Sequence, residues 1–214
     1  MRVTKVSSRS NRKPPGGIQL AAAVAQLELV RPPAPGHLEV VRNLINTLDV
    51  DKGTDLLESS EQLAAWLREN GLAERKAPKP TEEDLERVHA VRAELHALAA
   101  RNNSIQQACS TEVLDEASRR SAYALTFDPA TNSSVLRPTA TGVDGALGRI
   151  LAAVHAAMAD RTWPRLKACA DETCRWAYFD HSKNGCSRWC GDNCGNRSKV
   201  KRYRERQAQA GQTR

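Results

Sequence analysis

Apolar residues between His37 and Asp160 recur in blocks at helical spacing, separated by short polar breaks. The first block, HLEVVRNLINTLD, places Val40, Val41, Leu44, Ile45 and Leu48 at that spacing and predicts a first buried helix. The second, SSEQLAAWLRENG, predicts a helix capped by Ser59 or Ser60. Gln62 stands at the capping-box position relative to Ser59, Leu63, Trp66 and Leu67 share one face, and Gly71 is the stop. In TEEDLERVHAVRAELHALAARN, Thr81 and Asp84 form the start signal, and Leu85, Val88, Val91, Leu95 and Leu98 form the stripe. His89 and His96 read as solvent-facing or core-edge histidines, because no Cys or Asp stands beside them at metal spacing.

The pattern changes between Tyr123 and Ala140, where YALTF and VLRPTA flank DPATNSS and predict a β-hairpin. VDGALGRILAAVHAAMAD then returns to helical period through Leu147, Ile150, Leu151, Val154 and Met158, and predicts a last body helix. Residues 1–35 carry PPGG, RPPAP and many Ser, Arg and Lys residues, so they read as a mostly disordered extension. Ile18 to Val30 is the exception, with the apolar pattern of a short helix able to dock on the body. The expected organisation is this extension, a helical domain over 36–160, a cysteine-rich module over 161–206, and a tail over 207–214.

At 214 residues the chain suits one main core and a small appendage. Few aromatics and many Ala, Leu, Glu and Arg favour a mainly α, α+β fold, with a helical N-terminal domain and a small β-hairpin. Charge sharpens this picture. The net +7 is concentrated at the ends: Lys183 to Arg206 holds Lys183, Arg188, Arg197, Lys199, Lys201, Arg202, Arg204 and Arg206 against Asp192 and Glu205. Such asymmetry points to a polyanionic partner, a nucleic acid or a membrane surface. No run approaches the roughly 20 apolar residues that a membrane span needs. The basic stretch Arg2 to Lys13 leads into IQLAAAVAQLELV, which Gln and Glu interrupt, so no export signal is read and a cytoplasmic protein is expected. A reducing compartment argues against a disulfide scaffold.

Five of the six cysteines lie in CADETCRWAYFDHSKNGCSRWCGDNCGNR. Cys169 and Cys174 are separated by four residues, Cys190 and Cys194 by three, and fifteen residues lie between the pairs. Two close pairs joined by a returning segment match tetrahedral metal ligation, and zinc is the natural ion. Thiolate-only ligation leaves no open position, so one structural Zn2+ is expected. Trp163, Trp176, Tyr178, Phe179, Trp189 and Tyr203 gather around these cysteines and read as packing for a module too small to bury a core of its own.

The run C-x4-C-RWAYFD-HSKNG, continued by R-W-C-x3-C-G-N-R-x-K, resembles the CGNR zinc finger, whose name letters stand here as Cys194, Gly195, Asn196 and Arg197. HLEVVRNLINTLD, followed by DLLESSEQLAAWLRENGL, is similar to the start of the ABATE domain that accompanies this finger in bacterial stress-induced transcription regulators. The resemblance covers about residues 36 to 206 and implies zinc ligation by Cys169, Cys174, Cys190 and Cys194. Cys186 repeats the three-residue interval to Cys190, which leaves three readings: an alternative ligand, a redox-sensitive fifth thiol, or a spare cysteine in a turn. Cys109 reads as a small buried residue.

A zinc held by four thiolates needs nearby cations, and Arg188 and Arg197 stand closest to the ligands. Beyond them, Asn196 is expected to cap a helix over Ser198 to Gln209 carrying Lys199, Lys201, Arg202, Arg204 and Arg206 around most of its circumference. The candidate nucleic-acid contacts are therefore Arg188, Asn196, Arg197, Lys199, Lys201, Arg202, Arg204 and Arg206. The expected architecture is a knuckle around Cys169 and Cys174, a hairpin through Trp176 to Lys183, and a helix entered through Cys190 and Cys194, which resembles a treble clef. The expected function is DNA binding by the finger in a transcription regulator, with the helical domain dimerising or receiving a signal. A protein-interaction adaptor and a thiol redox switch using Cys186 are the rival readings. No Cys–His pair or spaced acid pair marks a catalytic centre, His181 reads as a turn residue, and no enzyme is expected.

Overall fold

The computed structural model describes residues 32–73 and 76–212. It shows six α-helices and three two-stranded antiparallel ladders among these residues. The helices are α1 (Leu38–Ile45), α2 (Ser60–Glu69), α3 (Glu82–Arg101), α4 (Glu112–Ser121), α5 (Gly142–Ala159) and α6 (Asp192–Gln212). The ladders are β1 (Leu48–Asp49) with β2 (Thr54–Asp55), β3 (Tyr123–Asp128) with β4 (Ser133–Pro138), and β5 (Leu166–Ala168) with β6 (Ala177–Phe179). No described helix is long and apolar enough to cross a membrane.

The local signals act where their chemistry requires. Ser59 Oγ accepts from Gln62 N–H to start α2, although the Gln62 side chain reaches back to Glu58 N–H, one residue before the cap. Thr81 and Asp84 form a complete capping box on α3. The core of the body joins Val41 and Leu44 of α1, Leu63 and Trp66 of α2, Val88 and Leu95 of α3, and Leu147 and Ile150 of α5. Burying these side chains is the main stabilising force of the helical domain.

Several expectations change. Helix α1 stops at Ile45 because Thr47 Oγ1 donates to the Leu44 carbonyl and the Asn46 side chain is drawn toward the finger, so Leu48 is 42% exposed in β1. Met158 is 46% exposed near the end of α5, outside the buried stripe. The ladder β1–β2 and helix α4 had no counterpart among the predicted elements. The expectations for residues 1–31, the Ile18 to Val30 segment included, lie outside the described residues. Of the same extension, Ala34 is buried and its N–H donates to Glu39 Oε2 at 2.7 Å, so the segment is anchored to the body at this residue while Pro32, Pro33 and Pro35 are exposed.

The finger also differs in detail. Its hairpin is β5–β6, with Leu166 opposite Phe179, and the Cys169–Cys174 knuckle is the connection between the two strands. The predicted hairpin through Trp176 to Lys183 is therefore displaced toward the N-terminus. Helix α6 begins at Asp192, ahead of the predicted start at Ser198, since Cys194 must ride in its first turn to meet the other thiols. Asn196 lies inside this helix and does not cap it, and the helix continues through the predicted tail to Gln212.

Candidate metal centre and the basic helix

Strand β6 divides the two cores. Its alternation turns Ala177 and Phe179 into the apolar core of the body, while Tyr178 packs among Cys169, Cys190 and Cys194. Trp176 and Trp189 cover this second cluster, in which Tyr178 is fully buried. Trp163 is buried in the body side, so the packing role expected for the aromatics holds for these residues. Tyr203 is 58% exposed and belongs to neither core.

The knuckle is shaped by Asp171, whose carboxylate accepts from the Thr173 N–H and hydroxyl, while its carbonyl accepts from the N–H groups of Cys174 and Arg175. Arg175 takes the left-handed conformation, φ 54°, and its carbonyl meets His96 Nε2 of α3 at 2.9 Å. A second organiser is Asp180, which is fully buried and accepts from Lys167 Nζ at 2.9 Å, the Ser182 N–H and hydroxyl, and Ser187 N–H. Burial pushes the Asp180 carboxyl up, but hydrogen bonds from Ser182 and Lys167 outweigh it and hold the group at about 2, below its ordinary 3.8. Gly185, at φ 59°, turns its carbonyl to the same lysine.

These turns bring the sulfurs of Cys169, Cys174, Cys190 and Cys194 within 4.8 Å of one another, with none in a disulfide. Cys174 and Cys190 are 3.6 Å apart, and Cys190 and Cys194 are 3.7 Å apart. A tetrahedral ion at about 2.3 Å from each sulfur separates them by about 3.8 Å, so the donor set and its size fit one Zn2+. An ion held by all four would have no open coordination position. The thiols are strongly interdependent: hydrogen bonds from Cys174 and Cys190 hold Cys169 far down, and the contact with Cys169 pushes Cys174 and Cys190 up. A divalent cation would resolve this competition by favouring the thiolate at every position.

Two donors already point at the sulfurs. Cys190 N–H donates to Cys169 Sγ at 3.5 Å, and Arg197 Nη2 donates to Cys194 Sγ at 3.3 Å. Arg197 Nε also pairs with Asp171 Oδ2 at 2.8 Å, and Nη1 lies 3.5 Å from Asp51 Oδ2. The bond to Cys194 and the contact with Asp171 raise the pKa of this guanidinium. Its three partners thus tie helix α6, the knuckle and the β1–β2 turn together.

A family model described as "Putative stress-induced transcription regulator", the ABATE domain, matches residues 38–162. The chain belongs to the ABATE family. A second model, the CGNR zinc finger, matches residues 165–207 and so contains the whole thiol cluster. No match is found among curated proteins.

The ABATE domain holds the finger through three asparagines that periodicity did not single out. Asn46, just after α1, donates to the Ala177 carbonyl and accepts from its N–H, each at 2.8 Å, and so pairs with β6 as an extra strand would. Asn102, at the end of α3, donates to the Trp163 and Leu166 carbonyls, and Asn103 donates to those of Ala168 and Arg188. Asn46 and Asn103 are buried, so these bonds are shielded from water. Their only trace in the chain is position: one follows the first helix and two follow the third.

The remaining predicted residues separate into two groups. Cys186 is exposed, outside the set of four sulfurs, and Cys109 is half-buried. His181 lies beside Phe179 and meets the Pro33 carbonyl at 3.1 Å, while His89 meets the Leu57 carbonyl at 2.8 Å. Arg188, Asn196, Lys199, Lys201, Arg202, Arg204 and Arg206 are all exposed. Arg202 lies over the Trp189 ring at 5.9 Å, and Lys201 is 3.5 Å from the exposed Glu172. Past Ser198 every residue of α6 through Gln209 is exposed, so its cations surround a helix that projects from the finger.

Proposed function

We propose that this ABATE protein is a zinc-dependent, DNA-binding transcription regulator. The observation that carries this reading is the exposed course of α6, where Lys199, Lys201, Arg202, Arg204 and Arg206 share the stretch from Ser198 to Arg206 with one acid, Glu205, and Lys201 also lies near the exposed Glu172. A helix of this width and charge suits a major groove, with its cations on phosphates and its exposed Arg and Asn196 side chains able to reach base edges. Zinc acts by holding Cys194, and with it the root of α6, against the knuckle. The Asn46 and Asn103 bonds transmit any shift of the ABATE helices to the finger, which suits a body that dimerises or receives a signal. Such a regulator works in the cytoplasm, at the nucleoid, and performs no catalysis of its own.

The test is fluorescence anisotropy of zinc-loaded protein with its own upstream DNA and a shuffled duplex across a salt series. Preference for the native duplex, with log affinity falling against log salt at a slope of about −4 to −5, is the expected result. Absence of binding to either duplex at low salt would sink the DNA reading and turn α6 into a protein-docking or solubilising feature.

A further inference from the structure

The β3–β4 hairpin is apolar, yet neither the body core nor the finger covers it. Leu125 is 56% exposed, Phe127 73% and Val135 48%. The register sets Leu125 opposite Leu136 and Phe127 opposite Ser134, so Tyr123, Leu125, Phe127, Leu136 and Pro138 share one face. Only the base of that face is docked. Tyr123 Oη donates to the Gly148 carbonyl at 3.2 Å, and α5 approaches so closely that a Cβ at Gly148 would lie 2.6 Å from Pro138 Cβ. From Ala124 to Asp128 every residue of β3 is exposed. The strand YALTFD also lacks the Lys, Pro or Gly residues that usually guard an open edge against pairing.

We propose that β3 is a dimerisation edge, which pairs antiparallel with β3 of a second copy about a two-fold axis at Thr126. The occupant follows from the strand's self-complementarity. With Thr126 opposite itself, Leu125 meets Phe127 of the second copy and Phe127 meets its Leu125, all on the apolar face, and the reciprocal pairs satisfy an isologous contact. Registers shifted by an odd step would set this face beside the opposite one, which carries Thr126, Asp128, Ser133 and Arg137 with Ala124 and Val135. The register at Thr126 uses Ala124 to Asp128, the exposed residues, and leaves Tyr123 in its bond to α5. Charge favours the same choice. Residues 123–138 hold only Asp128 and Arg137, one charge of each sign, so the hairpin itself adds no net like-charge repulsion to an approach of two copies of a +7 chain. The resulting four-stranded sheet joins Leu125, Phe127 and Leu136 of both copies into one apolar surface.

The inference rests on the dimer part of the proposed function and is independent of DNA contact. Sedimentation equilibrium of the zinc-loaded full chain should show a monomer–dimer equilibrium above the 23.5 kDa monomer mass. The double change Leu125→Lys with Phe127→Lys, at exposed positions, should raise the dimer dissociation constant at least about tenfold while zinc content stays unchanged. Thr126→Cys, a small change that retains the hairpin, should yield a dimer with a short bis-maleimide beyond the wild-type background. Wild-type protein that is monomeric at every concentration overturns both this interface and the dimer reading. A dimer that withstands the lysine pair and shows no cross-link through T126C overturns the interface alone.

Discussion

The ABATE body buries Trp66, Leu95, Leu147 and their neighbours from several helices, while the finger has only Cys169, Cys190, Cys194 and Tyr178 in its own centre. The first core is stable by apolar area, whereas the second is too small for that and depends on a cation. The two meet along β6, where one residue in three serves the metal side and its neighbours serve the body. The finger is therefore neither an independent bead on a linker nor a part of the body core. One face is anchored by side-chain packing and asparagine bonds, and the other by metal ligation.

Metal removal breaks this comparison most severely. Structural zinc contributes on the order of 10 kcal/mol or more to the folding of small finger modules. A strong chelator should release α6 and the 180–190 loop while the circular dichroism of the body helices persists. Trp189 and Trp176, against the cluster, should report the change in fluorescence; a single cooperative loss of all helix signal would show that the body cannot stand without the finger. Leu95→Ala makes the reciprocal cut, since this fully buried side chain lies in the body core. It should cost about 2–5 kcal/mol in denaturant unfolding and leave zinc stoichiometry at one.

The legibility of the two regions differs for physical reasons. Helices α1, α2, α3 and α5 declare themselves because burial on one side imposes a period on Leu and Val, and Ser59 and Thr81 mark two starts. Four ligands were readable because a tetrahedral ion demands paired thiols at short spacing. Helix α4, EVLDEASRRS, has an apolar stripe of only Val113, Leu114 and Ala117, with the first two half-buried, and three positions in a mostly charged segment are too short a stripe to declare a helix. Asn46, Asn102 and Asn103 act across gaps of 61 or more residues, for which no local pattern exists. The start of α6 was misplaced because Asn196 has the chemistry of a cap, while the position of Cys194 in the cluster dictates an earlier turn.

Asp180 sharpens the comparison through pH. Its folded-state pKa of about 2 lies below the ordinary 3.8, so it stabilises the fold above the higher value and loses that contribution as pH falls toward the lower. The shift corresponds to about 2 kcal/mol. Asp180→Asn should therefore lower unfolding stability by roughly that amount at neutral pH, with the gap between variant and parent closing as the pH falls from about 4 to about 2. A gap that is constant over that range would show that shape, not charge, is what Asp180 supplies. Asn46→Ala is a cut of similar size. It strands the buried N–H and carbonyl of Ala177 and should cost about 1–3 kcal/mol, read as a lower midpoint for finger release under chelation.

The smallest effect separates the two halves of α6 itself. Arg197 is bound to Asp171 and Cys194, whereas Arg204 stands on the projecting part of the helix. Both carry one positive charge, so net charge alone predicts the same loss of DNA affinity from Arg197→Gln and Arg204→Gln. The geometry predicts a difference. Arg204→Gln should reduce the salt slope by about 1 and leave metal affinity unchanged, because a phosphate contact is lost. Arg197→Gln should hold the slope and weaken metal retention in a chelator competition, because the removed donor faces a ligand sulfur. If both variants flatten the slope equally, Arg197 leaves its carboxylate when DNA arrives, and the root of α6 belongs to the nucleic-acid surface as well as to the metal site.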